Sequence, residues 1–402
     1  MITLNNIKEA QSKLTDVIHK TPLAYAPILS SKLNADIYLK KENLQITGSF
    51  KLRGAFNKLS NLSEAQRSKG VVAASAGNHA QGVAYSAKYY ACEATIVMPE
   101  ATPLTKVSGV KSHGANVILH GTNYDECYKY ATNLADEKNM TFVHPYADDD
   151  VISGQGTVFL EIIEEIDNID TIVVPIGGGG LIAGISIAVK ALKPEIKVVG
   201  VVASGARMML ESFEQNKALN GEGVKTIADG IAVRDVNPKM FDLVKANVDE
   251  IIEVDENEIA NAILFLLESQ KLVVEGAGAV GVAAIMHNKI DLKNKKTVAV
   301  VSGGNIDVTM LSQIIEKGLV KSNRKMNLSV ILMDKPGALM TLTEIFKTCD
   351  ANIVKIDYNR NSVELEFGEA YVTIALETKG EDHQKLIAEE LTKHGYLFTQ
   401  FY

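Results

Sequence analysis

Four short stretches of the sequence set useful side chains or free backbone amides at turns. In Thr47-Gly-Ser-Phe-Lys-Leu-Arg-Gly54, Lys51 follows a Gly-Ser turn and opens a helix running towards Leu59. A lysine at a helix N-terminus feels the positive end of the dipole, which lowers its pKa and favours the neutral amine. That is the form that adds to an aldehyde. In Ala74-Ser-Ala-Gly-Asn-His-Ala-Gln-Gly82, Ser75 and Asn78 stand where a strand gives way to a helix and can hold an anionic or carbonyl oxygen. In Pro175-Ile-Gly-Gly-Gly-Gly-Leu-Ile-Ala-Gly184, four glycines let backbone N–H groups come close to a phosphate. In Val300-Val-Ser-Gly-Gly-Asn305, Ser302 presents a neutral hydroxyl at a strand's C-terminal edge, where ligands collect in open α/β sheets.

Taken singly, each stretch also fits a plain turn or helix cap. The glycine run has a further rival, because Gly178-x-Gly180-x-x-Ala183 satisfies the dinucleotide fingerprint. That fingerprint needs an acidic residue at the end of the next strand. Here the next strand ends Gly200-Val-Val-Ala-Ser204, with no carboxylate for a ribose. A phosphate monoester fits better.

These stretches need a scaffold. Between about residues 36 and 305, β-rich runs at 37–40, 71–75, 94–98, 115–120, 141–144, 171–176, 197–202, 250–254 and 296–301 alternate with helical patterns such as 78–90, 124–137 and 257–267. Such alternation predicts an α/β fold of open, mostly parallel sheets. After Val320 the pattern changes. A polar stretch, 321–325, reads as a linker, and 326–402 reads as a ferredoxin-like plait with strands at 327–333, 353–358, 370–376 and 397–402 and helices at 339–349 and 384–394. The expected organisation is therefore a unit over 1–320, with a small subdomain over about 50–145, then the linker and the plait.

Composition narrows the function. The net charge of −8 and the absence of Trp argue against nucleic-acid binding. Cys92, Cys127 and Cys349 form no C-x-x-C pair, which predicts neither a disulfide framework nor a zinc site. Apolar runs are too short to span a membrane, and the first 20 residues lack a signal peptide's apolar core. A cytoplasmic protein is expected.

Together the four stretches resemble the fold-type II family of pyridoxal-phosphate enzymes, over roughly residues 5–320, and within it the threonine dehydratase and serine racemase branch. Ser-Phe-Lys-x-Arg-Gly and Ser-Ala-Gly-Asn-His are specific to that branch. The resemblance implies pyridoxal 5′-phosphate as cofactor and Lys51, beside Phe50, as the lysine that takes its aldehyde. It implies Asn78 at the 3′-oxygen, Gly177, Gly178, Gly179, Gly180 and Leu181 around the phosphate, and Ser302 at the pyridine nitrogen. Ser75, Asn78 and His79 fall where the family binds the substrate carboxylate. Ile227-Ala-Asp-Gly230 and Glu275-Gly-Ala-Gly match segments that line the ring, Gly230 among them.

The implied activity is dehydration and deamination of L-threonine to 2-oxobutanoate and ammonia, with L-serine as a secondary substrate. Three departures separate the chain from serine racemase. Ala76 stands where the racemase has a second serine, Val202 and Met208 replace its acidic metal ligands, and Tyr146 replaces an asparagine. No metal is expected. The alternatives are a serine or hydroxyaspartate dehydratase, a racemase-like enzyme on the same fold, and a catalytically silent amino-acid sensor. The plait, with its turn at 334–339, resembles an ACT domain, which implies an amino-acid effector and a homodimer or homotetramer.

Overall fold

The computed structural model describes residues 2–363 and 365–401. The chain divides into two compact units, Met1–Asp307 and Val308–Tyr402.

The first unit holds two sheets. In the larger, the strands lie in the order Leu23–Tyr25, Asp36–Lys41, Lys296–Val301, Thr171–Pro175, Lys197–Ala203 and Glu250–Val254. Only the first pair is antiparallel. The runs Thr-Ile-Val-Val-Pro and Thr-Val-Ala-Val-Val are almost wholly buried, as strands covered on both faces must be. Helices Gly180–Leu192 and Gly276–Met286 supply much of that cover with small and branched residues. The three-residue edge strand Leu23–Tyr25 has no period-2 signal long enough to stand out in the sequence.

The smaller sheet is all parallel, in the order Asn116–Leu119, Ala94–Met98, Val71–Ala74 and Thr141–Phe142. Its core, including Val71, Ala73, Ile96 and Met98, packs against Ala55 and Leu59 of helix Lys51–Asn61 and Ala80 and Val83 of helix Asn78–Tyr89.

The second unit opens with helix Val308–Lys321 and continues in βαββαβ order. Its antiparallel sheet runs Asn352–Asn359, Glu369–Glu377, Lys325–Met333 and Phe398–Phe401. Alternate residues Met326, Leu328, Val330 and Leu332 face Leu342, Phe346, Ile387 and Leu391 in one core. The expected plait is present, although Tyr402, placed in its closing strand, lies outside the described residues. The expected linker is corrected. Lys321 ends a helix and Lys325 starts a strand, so 322–324 is a tight turn inside the second unit. Polarity at 321–325 reflects that exposed turn, where Asn323 adopts a left-handed φ of 55°. Among the described residues no helix is long and apolar enough to cross a membrane.

Candidate active site

The parallel strands deliver their C-terminal ends to one place. Val301 leads into Ser302, Pro175 into the glycine turn and Ala74 into Ser75. A cavity of about 700 Å³ opens there. Phe50, Lys51, Ser75, Asn78, His79, Gly177, Gly178, Gly179, Gly180, Leu181, Gly230 and Ser302 all line it, so the positions expected to meet cofactor or substrate come together in one pocket, whereas Val202 and Met208 do not line it.

Lys51 is the first residue of helix Lys51–Asn61 and donates to the Pro145 carbonyl at 2.9 Å. Its pKa falls from 10.5 to about 8, mainly through burial, with the Glu275 carboxylate pulling the other way. The lowered amine was expected from the helix dipole; its cause here is removal from water. The turn before it is stitched to the Ser302 turn. The Phe50 amide donates to Ser302 O at 3.1 Å, and the Gly304 amide to Gly48 O at 2.8 Å. Gly48 has a φ of +73°, and a Cβ there would meet Asn305 Oδ1 at 2.5 Å, so only glycine allows this approach.

The glycine run forms the turn into helix Gly180–Leu192, with Gly179 at the N-cap. The first intrahelical bond there is Ala183 N–H to Gly179 O, at 2.9 Å. Amides ahead of it in the first turn have no helical acceptor and point towards the cavity end. A Cβ on Gly178 would meet the Tyr146 ring at 2.4 Å. The bare glycine therefore serves the ring of Tyr146 as well as any phosphate.

Ser302 is buried, and its Oγ makes only a long 3.4 Å bond to Ala277 O, which leaves its proton available to a better acceptor. Ser75 Oγ accepts from the Gly77 amide at 3.2 Å. Asn78 is the first residue of its helix, and its side chain donates to Glu275 at 2.7 Å rather than capping the helix.

At His79 only the backbone is free to meet an anion. Its side chain is buried, Nε2 lies 2.9 Å from Val143 O, and burial together with the Lys51 charge lowers its pKa to about 3. The neutral ring spends its N–H on that carbonyl, so Nδ1 carries only a lone pair. A lone pair cannot hold a carboxylate. What residue 79 offers an anion is its backbone N–H, in a helix whose first bond is Gln81 N–H to Gly77 O at 3.4 Å.

The sequence reading missed the residues that hold these parts in place. Arg53, two positions after Lys51, is fully buried and bonds Glu42 (2.7 Å) and Glu161 (2.6 Å), while Lys40 bonds Glu161 at 2.7 Å. Two cations and two anions balance, as burial of charge demands. The Arg in Ser-Phe-Lys-x-Arg-Gly was visible as part of the motif; its partners are far away in sequence and were not. Among the described residues no three His, Cys, Asp or Glu side chains form a group that could hold a metal ion.

Residues 14–303 match the family described as pyridoxal-phosphate dependent enzyme. The chain is 51% identical over 396 residues to the L-threonine ammonia-lyase of Thermotoga maritima, which covers 98% of each. Its structure is similar to the processed form of threonine deaminase isoform 2 from Solanum lycopersicum, with a TM-score of 0.74, 36% identity and coverage of 78% of this chain and 87% of that one. It is also similar to maize serine racemase, at a TM-score of 0.75 and 34% identity over 80% of this chain and 99% of that one.

Proposed function

The chain belongs to the pyridoxal-phosphate dependent enzyme family, and from that premise we propose that it is a lyase converting L-threonine to 2-oxobutanoate and ammonia. L-Serine is its secondary substrate, giving pyruvate. The residues present fit the cofactor. One amine of lowered pKa, a glycine turn that a Cβ would fill and a neutral buried hydroxyl all face one cavity. Its volume, about 700 Å³, is in the range of small-ligand sites.

In this reading Lys51 takes the aldehyde, and the amides of Gly177 to Leu181 take the phosphate. Ser302 would hold the ring nitrogen, and Asn78 the ring oxygen beside the aldehyde. Bound pyridoxal phosphate supplies the electron sink for charge left at the substrate's α-carbon. Lys51, an amine of lowered pKa lining the cavity, would remove the α-proton as general base. Ser302, a buried neutral hydroxyl, would hold the ring nitrogen without the negative charge that favours its protonation. Backbone amides at the start of helix Asn78–Tyr89, with Ser75, hold the substrate carboxylate.

The observation that carries dehydration over racemisation is Ala76. It lines the pocket between Ser75 and Gly77 and has no proton to return to the α-carbon. Serine or hydroxyaspartate dehydration on the same fold is the neighbouring reading; a silent sensor is disfavoured by the intact set of Lys51, glycine turn and Ser302. The second unit is read as an effector-binding plait that pairs chains into a dimer or tetramer. Its turn supports this, because Gly337 caps helix Ala338–Thr348 in a left-handed conformation and leaves first-turn amides for a carboxylate. The three free, buried cysteines suit a reducing, cytoplasmic setting.

The test is an assay of 2-oxo acid formation from threonine, serine and hydroxyaspartate by cofactor-loaded protein. Threonine should have the highest kcat/KM. A preference for either of the others by tenfold or more would replace the threonine assignment.

A further inference from the structure

Glu275 has a setting that the mechanism above does not use. Its carboxyl is 4% exposed and, among the described residues, no cation is hydrogen-bonded to it. Asn78 Nδ2 donates to its Oε1 at 2.7 Å, and the backbone amide of Asn305 also bonds it. Glycines make room for the carboxyl: a Cβ on Gly303 would lie 2.4 Å from Oε1, and one on Gly230 would lie 3.3 Å away.

The amide of Asn78 cannot turn over in this setting. Asn305 Nδ2 donates to Thr47 O at 2.8 Å, which fixes that atom as the nitrogen. The same Nδ2 donates to Asn78 Oδ1 at 2.7 Å, so the other end of Asn78 must be its nitrogen, facing Glu275. Of the two N–H donors on Asn78, one is committed to Glu275 and one remains. The chain Thr47–Asn305–Asn78–Glu275 thus ties the Lys51 turn, the Ser302 turn and two helix starts to one hydrogen-bond direction.

We propose that Glu275 is a positioning residue for this site: it holds Asn78 with one N–H turned to the bound cofactor, and its charge acts on Lys51 across the pocket. The proposal rests on the reading that Lys51 captures pyridoxal phosphate. The ionisable groups that face Glu275 are Lys51, Asp229 of the turn Asp229–Ile231, and Lys106 of helix Leu104–Ser112. Lys106, paired with Asp229 at 2.8 Å, pulls the Glu275 carboxyl down, and Glu275 in turn raises Lys51, which lines the same cavity. Burial, with Asp229 adding to it, lifts the Glu275 carboxyl to about 7. It is therefore charged above neutrality, where it favours the protonated form of Lys51, and neutral below.

The geometry gives two variants with different expectations. Glu275→Gln keeps an acceptor for Asn78 but carries no charge. Loss of a negative neighbour lowers the pKa of Lys51, so the pH midpoint for cofactor capture by the stripped, full-length protein should fall by about one unit. Asn305→Asp removes the donor to Asn78 Oδ1 and lets the amide reverse, so the cofactor dissociation constant should rise by about tenfold. Both are read by absorbance during reloading, without turnover. A downward midpoint shift in the first variant together with weaker binding in the second supports the proposal. A midpoint within 0.2 units of wild type (a threshold on the order of measurement error), or an upward shift, overturns the charge coupling. Unchanged affinity in Asn305→Asp overturns the positioning. If wild-type protein captures no pyridoxal phosphate at all, the underlying cofactor reading fails instead, and the two failures are thereby told apart.

Discussion

Lys51 and Arg53 stand two residues apart on one helix, yet one opens into the cavity and the other is sealed in the core. Successive helix positions are about 100° apart, so residues i and i+2 face in divergent directions. One short motif thus supplies both an amine in the cavity and the anchor that fixes it. Arg53 reaches Glu42, next to strand Asp36–Lys41, and Glu161 on helix Asp149–Glu165, so the helix that bears Lys51 is tied to two further elements.

We expect Lys51→Ala to lose turnover with threonine by at least about three orders of magnitude, since Lys106, the other lysine lining the cavity, is held in an ion pair with Asp229. Its bound cofactor should absorb like the free aldehyde. In the wild type, the amine's pKa of about 8 makes capture slow at low pH, where Lys51 is protonated, and fast above pH 8. At pH 7 the neutral fraction is on the order of a few hundred times that of an unperturbed lysine. Stopped-flow absorbance against pH measures this; a midpoint near 10.5 would mean that Lys51 is not the capturing group.

The Ala76 prediction is stereochemical. Purified wild-type protein given L-serine should form pyruvate and no D-serine, which chiral chromatography of the mixture resolves. Ala76→Ser places a hydroxyl in the pocket and is expected to gain a trace of racemisation. D-Serine formation by the wild type at a rate comparable to pyruvate would show that another proton donor exists.

Removing Arg53 leaves Glu42, Glu161 and Lys40 buried without balance. We expect Arg53→Ala to cost about 3–5 kcal/mol of stability, read from the denaturant midpoint with the m-value held fixed. The pH dependence has a definite sign. Burial pushes the Glu161 carboxyl up, but Arg53 and Lys40 outweigh it and hold it below its ordinary 4.5. A depressed carboxyl contributes stability that is complete above its unfolded pKa and is lost as pH falls through the folded value. Wild type should therefore lose stability steeply below about pH 4.5, and Arg53→Ala should lack this part of the acid slope. Parallel acid curves would assign the stability elsewhere.

The unit boundary at Asp307 sets a fourth expectation. A chain ended after Asp307 keeps the whole cavity lining, which runs no further than that residue. It should fold and capture cofactor, with an altered sedimentation coefficient and no response to amino-acid effectors. A chain ended after Lys321 retains helix Val308–Lys321 without the strands of its own unit and should be more prone to aggregate. Effector coupling in the full chain should be about 5–150-fold in affinity. Identical saturation curves for full-length and 1–307 protein, across a panel of amino acids, would make the plait inert.

The sequence by itself determined the parts whose physics is local. Strands such as Lys296–Val301 are legible as short apolar runs bounded by turn residues, and the glycine turn is legible because a crowded helix start tolerates no Cβ. The motifs around Asn78, Gly177 to Leu181 and Ser302 each sit within a few residues of a strand's C-terminal end, so their clustering follows from parallel topology, whereas Lys51 reaches the cavity through the bonds of its turn to the Ser302 turn.

Tertiary structure alone decided what those side chains touch. Asn78 and Glu275 are 197 positions apart, Asn305 and Asn78 are 227 apart, and Arg53 and Glu161 are 108 apart. No periodicity or turn signal links positions so distant, because the bonds form only after two sheets have packed. The same holds for His79, whose ring the fold turns onto Val143, which leaves its backbone N–H as the donor at that position. It holds too for Lys51, whose pKa follows chiefly from removal from water, with only a smaller pull from Glu275. Burial is a property of the whole packed chain, and one helix start cannot reveal it.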